Sequence, residues 1–162
     1  MNNKQLIAAG ILAVDKNTGD ILLIKRSQLV PNPNVWAVVG GKKDPEDENT
    51  RVAAIREFKE EVQPDTSYNL SKLPLFINEN KYLKFYTYLG LFDNKFVPTL
   101  NEENIDYGWF NLDELPEDLL PACKLMFREK GEELQQFIDS VRLSPYCLLD
   151  MRRIGSYIRR YV

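Results

Sequence analysis

The chain has 162 residues, with 21 Lys and Arg against 24 Asp and Glu for a net charge of −3, no histidine and two cysteines. That length suits one compact domain with a real core, and the 44% apolar and 28% charged shares are those of an ordinary globular protein. Without histidine there is no Ser-His-Asp or Cys-His catalysis and no imidazole ligand or proton shuttle, so acid–base or metal chemistry falls to carboxylates, lysine, tyrosine and backbone groups, and any metal should be a hard cation held by oxygen.

Cys123 and Cys147 are too few for a disulfide framework and read as free thiols in a reducing compartment. No apolar stretch reaches the roughly 20 residues of a membrane span. The apolar start, Leu6 to Val14, lacks a small-residue cleavage site before Asp15 and reads as a strand of a cytoplasmic protein rather than a signal peptide.

In chain order, Leu6–Val14 and Ile21–Ile24 flank a turn-forming Asp15-Lys16-Asn17-Thr18-Gly19-Asp20, which predicts a hairpin. Pro31 and Pro33 mark residues 28–34 as a surface loop. Val35 to Val39 reads as a short buried strand ending at Gly40-Gly41. The period then changes to that of a helix over 49–62, with Val52, Ile55, Phe58 and Val62 on its apolar side. Residues 73–92 predict two strands. Lys81 to Phe92 is apolar at both alternating phases, which calls for helices on both faces of the sheet. Asp106–Phe110 predicts a last strand, and Asp113–Leu119 and Ala122–Val141 predict helices separated by Pro121. The chain divides into a domain over 1–141 and an arginine-rich extension over 142–162. Five arginines against one aspartate leave that extension at +4 and the remainder at −7. Leu148, Met151, Ile154, Ile158 and Tyr161 recur there at helical spacing, which suits a helix packed on the body or on a second subunit.

The chemistry concentrates in Arg56-Glu57-Phe58-Lys59-Glu60-Glu61. On a helix, Glu57, Glu60 and Glu61 fall within an arc of roughly 100°. Such carboxylates repel by about 0.2–0.5 kcal/mol per exposed pair. A divalent cation reverses the sign, since Mg²⁺ takes carboxylate oxygens in octahedral geometry.

Together with Gly40-Gly41-Lys42 and Glu48, this segment resembles the box of the Nudix hydrolase superfamily, G-x5-E-x7-R-E-U-x-E-E-x-G-U with U a bulky apolar residue. Trp36 ahead of the glycines, Glu102-Glu103, and Trp109-Phe110-Asn111-Leu112-Asp113-Glu114-Leu115-Pro116 resemble flanking segments of the family, so the likeness covers about residues 5–140. It implies an α/β/α sandwich with a mixed β-sheet covered by helices on both faces. It also implies Mg²⁺-dependent hydrolysis, with Mn²⁺ as substitute, of a nucleoside diphosphate linked to another moiety, by metal-activated water. Glu57, Glu60, Glu61 and the Gly40 carbonyl would be the metal ligands, and Arg56 would hold the glutamates. Glu103 would be the downstream base or ligand, with Glu102 and Glu57 as rivals. Arg26 and Lys42 would contact phosphate.

Three departures stand out. Six residues rather than five separate Gly41 from Glu48, so Glu48 is taken as the box glutamate with Asp47 as fallback. Val39 replaces a frequent proline. Gln63-Pro64 replaces the closing glycine, and Pro64 is expected to drive Gln63 to extended geometry. Substrate choice stays open among nucleoside triphosphates, dinucleoside polyphosphates and nucleotide sugars. Tyr82 has a spacing resembling that of dinucleoside tetraphosphate hydrolases, yet alternates with Tyr86 and Tyr88 as a sheet face would. The partner is a small-molecule nucleotide, with no membrane, nucleic acid only as a capped RNA end, and a homodimer allowed for. The competing reading is a catalytically inactive Nudix-fold nucleotide-binding or sensor module.

Overall fold

A computed structural model of the chain describes residues 4–143. Strand β1 (Leu6–Asp15) and strand β2 (Ile21–Arg26) form the expected hairpin, in register Val14↔Ile21. The Asp15 carboxylate closes the turn by accepting from Asn17 N, Thr18 N and Thr18 Oγ1, and Gly19 takes the left-handed φ of 76° that the turn needs. In the following loop, Arg26 Nε donates to the Pro31 carbonyl at 2.8 Å.

The single strand expected over Val35–Val39 is instead two. Strand β3 (Trp36–Ala37) pairs with β2, and strand β4 (Val39–Lys42) pairs with β1 from Ala8↔Lys42 to Ile11↔Val39. β1 is long enough to hold β2 along one half and β4 along the other, so the chain changes neighbours at Val38. Gly40 and Gly41 therefore lie inside β4 rather than after it. Gly10 faces Gly40 across the pair, and a Cβ on Gly40 would run into the Ala9 carbonyl at 2.5 Å and Gly10 Cα at 2.6 Å.

Helix α1 (Thr50–Val62) starts where expected, its Asn49 side chain accepting from Val52 N at 2.9 Å. Its buried face differs from the expected one. Ala53, Ala54, Phe58, Glu61 and Val62 are buried, whereas Val52 and Ile55 are 38% and 37% exposed. The helix packs on β1 and β4, whose facing residues Ala9 and Gly41 are small. Close approach there selects alanine over larger side chains. At its C-terminus Gln63 does not become extended. It adopts φ 44° and ψ 63°, and its N–H donates to the Lys59 carbonyl at 3.1 Å. A left-handed residue turns the chain sharply back. The segment can then bring Tyr68 over Phe92 and Phe58, at centroid distances of 4.7 and 5.6 Å.

The sheet is completed by strands β5 (Asn69–Leu70), β6 (Phe76–Glu79), β7 (Leu83–Phe92) and β8 (Asn104–Phe110). β7 runs parallel to β1 along all of it, from Leu6↔Leu83 to Asp15↔Phe92, while β8 lies antiparallel to β2, making a mixed eight-stranded sheet. The two-phase apolarity of β7 has the predicted consequence. One core, with Ile11, Tyr88 and Phe92, lies under α1. The other, with Leu12 and Leu89, lies under helix α2 (Pro121–Leu143) through Cys123, Met126, Leu134 and Ile138.

The helix expected over Asp113–Leu119 is absent. Asn111 makes a turn, accepting from Glu114 N and, through its side chain, from Asp113 N. The backbone then lies alongside Trp36, whose N–H donates to the Asp118 carbonyl at 2.7 Å while its carbonyl accepts from Leu120 N at 2.8 Å. Those groups cannot also serve a helix. No helix among the described residues is long and apolar enough to cross a membrane. The helix expected from Leu148 to Tyr161 and the thiol of Cys147 lie outside the described residues.

Candidate active site

Arg56 organises one side of α1. Its guanidinium clasps Asp47, with Nε–Oδ1 at 3.0 Å and Nη2–Oδ2 at 2.8 Å, and Nη2 also reaches the Lys42 carbonyl at 2.9 Å. Nη1 donates to Glu57 Oε1 at 3.0 Å and to Glu60 Oε2 at 3.2 Å. This bidentate grip holds the Asp47 carboxyl below its ordinary range and raises the arginine further. The acid that Arg56 holds is thus Asp47, which is buried, and not Glu48, which is exposed. Five residues separate Gly41 from Asp47, so the extra loop residue falls behind Asp47, before the helix. Asp47 also folds the loop through its Oδ2, which accepts from Asp44 N at 2.8 Å.

The glutamates divide by environment. Glu60 is 56% exposed and rests on Arg56. Glu57 lies against β4, and a Cβ on Gly41 would sit 2.5 Å from its carboxyl carbon, so glycine is what leaves room for the carboxylate. Glu61 is 4% exposed, and its Oε2 accepts from Asn104 Nδ2 at 3.3 Å. Burial, then the charges of Glu57 and Glu103, push the Glu61 carboxyl up to about 8, against weaker opposition from Asn104 and Arg26. Glu57 is also raised, first by burial, with Arg56 opposing. Glu103 is brought to the pair by its backbone: its N–H donates to Asn101 Oδ1 at 3.1 Å and its carbonyl accepts from Ser27 N at 2.8 Å, just past β2. Of the downstream glutamates, it is Glu103 and not Glu102 whose charge acts on Glu57 and Glu61. Asn104 has no counterpart in the sequence reading. Its only signal was its place beside Glu103, since the last strand was expected from Asp106 and begins at Asn104.

The donor set fits a hard divalent cation: carboxylates from Glu57 and Glu61, Glu103 beside them, and a glycine cradle in β4. Among the described residues no three acidic side chains already surround one point. Arg56 holds Glu60 and one oxygen of Glu57.

On the opposite face of the sheet a small cavity opens between β4, β6, β7 and α2. Phe76, Phe85, Leu120, Cys123 and Met126 make its walls apolar, with Asn78 and Thr87 as polar groups. Gly40 and Arg26 line it too, and Arg26 acts electrostatically on both Glu61 and Cys123. Arg26 is thus the side chain common to the carboxylates and the cavity. Lys42 is exposed, and what it gives the site is its carbonyl, on Arg56. Tyr82 is 59% exposed beside Lys81, outside the cavity walls. Its hydroxyl phase continues at Tyr88, which is buried against Thr50 Oγ1 at 2.7 Å.

Comparison with solved structures places this architecture among known ones. A MutT protein from Methanosarcina mazei Go1 is 22% identical, with 82% of this chain and 97% of that chain covered at a TM-score of 0.65. A MutT NUDIX hydrolase from Burkholderia pseudomallei is 26% identical, covering 77% and 97% at 0.59. An Ap4A hydrolase from C. elegans is 23% identical, covering 81% and 98% at 0.62. Among curated proteins no sequence match is found. The sequence model of the NUDIX domain matches residues 4–130. Most of its length being so matched, the chain belongs to the NUDIX domain family and is a hydrolase of that family.

Proposed function

We propose that the chain hydrolyses a phosphoanhydride bond in a nucleoside diphosphate linked to another moiety, with Mg²⁺ as its cation and Mn²⁺ as substitute. The observation that carries this reading is the Glu57 carboxylate against Gly41, with Glu61 and Glu103 close enough for the three charges to act on one another. Arg26 joins that place to an apolar cavity on the other face. A polyanionic, acidic site is a poor receptor for phosphates by itself and a good one when cations intervene.

Glu57 and Glu61 would hold the cation, with the Gly40 carbonyl and, once free of Arg56, Glu60. When bound, it supplies screening of the polyphosphate charge and acidifies the attacking water. The chain's own side chains do the rest. Asn104 Nδ2 fixes the Glu61 carboxylate, and Arg56 fixes Glu57 and, through Asp47, the loop ahead of the helix. The Glu103 carboxylate, exposed but tied at its backbone, takes the proton from water. Arg26 contacts the phosphate nearest the nucleoside. The cavity takes the base, Phe76 and Phe85 supplying apolar surface and Asn78 an amide that both donates and accepts. An inactive nucleotide-binding module would have no need of the full set of glutamates.

The test is a panel of nucleoside triphosphates, dinucleoside polyphosphates and nucleotide sugars with Mg²⁺ or Mn²⁺, products being identified by ion-exchange chromatography. Cleavage within the phosphoanhydride chain, lost in Glu57→Gln, is the expected result. Nucleotide binding without any product across the panel would replace this reading by the inactive one.

A further inference from the structure

The cavity under α2 holds polar side chains that the fold itself leaves unused. Antiparallel pairing sets Asn78 opposite Phe85 and Phe76 opposite Thr87, so each polar group stands beside a ring on the same face of the sheet. Two glycines make room for one of those rings: a Cβ on Gly10 or Gly40 would come within 3.0 or 2.9 Å of Phe85 Cζ. Thr87 is 4% exposed, and neither its hydroxyl nor the Asn78 amide has a hydrogen-bond partner among the described residues. No polar side-chain atom among those residues is both sealed from solvent and without a partner, so the Thr87 oxygen opens into the cavity that Thr87 lines. Valine would fill the same volume in β7 without taking a hydroxyl out of water, and no contact among the described residues calls for the oxygen.

We propose that Thr87 and Asn78 are the specificity-determining pair of this cavity, bonding the polar edge of a nucleobase so that the chain sorts its substrates by base. This rests on the hydrolase reading above, in which the cavity takes the base, and adds which atoms read it. A heterocycle laid against Phe76 and Phe85 buries its faces on apolar surface, while its edge meets one hydroxyl and one amide. Both groups donate and accept, which suits the neighbouring donor and acceptor of a base edge. A ligand without such an edge leaves the Thr87 hydroxyl unpaired, and that is how a hydrogen-bonding site rejects the wrong partner. Charge agrees. Among the described residues Arg26 is the cavity's one charged lining residue, with no carboxylate beside it, so a neutral ring belongs there and a cation-bound polyphosphate does not.

The test measures, by calorimetry with Mg²⁺, the binding of the four common nucleoside 5′-monophosphates, which have no anhydride to cleave. Ribose 5-phosphate serves as the ligand without a base. The parent chain should bind its preferred monophosphate about tenfold or more tightly than its least preferred one. Thr87→Val should weaken the preferred ligand about fivefold and draw the four together, with ribose 5-phosphate unchanged. Its melting temperature without ligand should hold or rise. Thr87→Ser, which restores the hydroxyl, should recover the preference, and Asn78→Ala should narrow it. Parental binding of all four by Thr87→Val, an equal loss for ribose 5-phosphate, or a parent with no preference would each overturn the proposal. A lower melting temperature with unchanged binding would overturn it in favour of a structural hydroxyl. The hydrolase reading fails separately. Product release from the substrate panel with binding blind to Thr87→Val would keep the hydrolase and remove this assignment, and base preference lost in Thr87→Val without any product would do the reverse.

Discussion

The two flanks of α1 solve opposite electrostatic problems. On one, Arg56 meets Asp47, Glu57 and Glu60 with its donors fully used, and each carboxylate has a cationic partner. On the other, Glu61 is buried beside Glu57 and Glu103 with a single amide for company, and the charge is left over. One turn of helix separates a finished ion-pair network from an unfinished one. The lesson is that carboxylate count does not locate a site. What locates it is where the chain stops compensating its own charge.

Breaking the unfinished side should have the largest effect. Glu61→Gln keeps the shape and the hydrogen bond from Asn104 but removes the charge. It should lower kcat by about a thousandfold, the scale of losing a principal electrostatic group. Because the carboxylate is disfavoured in its own pocket, the same change should leave the melting temperature of the metal-free chain unaltered or raised at pH 8. Activity within tenfold of the parent would remove Glu61 from the machinery.

Breaking the finished side should act on stability first. Arg56→Ala leaves the Asp47 carboxylate without its partner and should lower the denaturant midpoint. Asp47→Asn should cost less, since the amide oxygen still accepts. Glu48→Gln should change neither stability nor kcat by more than about twofold, as an exposed loop residue would. Denaturant titrations of the three variants separate them, and a large effect at Glu48 with none at Asp47 would reverse the assignment made from the geometry.

How much of this was legible beforehand follows from what each feature depends on. The helix, its glutamates and Arg56 were readable because i, i+3 and i+4 spacing is a property of the local chain. The covering of both sheet faces was readable from the two apolar phases of β7. Asp47 against Glu48 was not, because an inserted loop residue can be absorbed on either side of the acid and only Arg56 decides. Val52 and Ile55 looked like core because they are larger than Ala53 and Ala54, whereas close packing on Ala9 and Gly41 favours the smaller pair. The split of β3 from β4 depends on which half of β1 is already taken by β2. Asn104 became visible only once the partner of Glu61 was known.

The same contrast sets a pH dependence. The Glu61 carboxyl titrates near 8 in the folded chain and near 4.5 when unfolded. Between those values the folded chain holds a proton that the unfolded chain has released, so stability is full below about pH 4.5 and declines as the pH rises toward 8. Thermal melts of the metal-free chain should show that decline, and Glu61→Gln should flatten it. Added Mg²⁺ should raise the melting temperature more at pH 8 than at pH 6, because binding must displace the proton. A profile that rises across this window, or is unchanged by Glu61→Gln, would mean that Glu61 is solvated in solution.

The smallest effect belongs to the end of the helix that carries both flanks. Gln63 occupies a left-handed conformation, which costs a side chain about 1 kcal/mol relative to glycine, less what glycine loses in the unfolded ensemble. Gln63→Gly should therefore stabilise the chain by about 0.5 kcal/mol, read as a higher urea midpoint at unchanged slope. Kcat should not move, since the Gln63 N–H keeps its bond to the Lys59 carbonyl with either residue and Glu60 and Glu61 keep their places on the helix. A destabilised Gln63→Gly would instead show that Pro64 and the packing of Tyr68 hold this turn without strain, and that the glutamine side chain contributes to it.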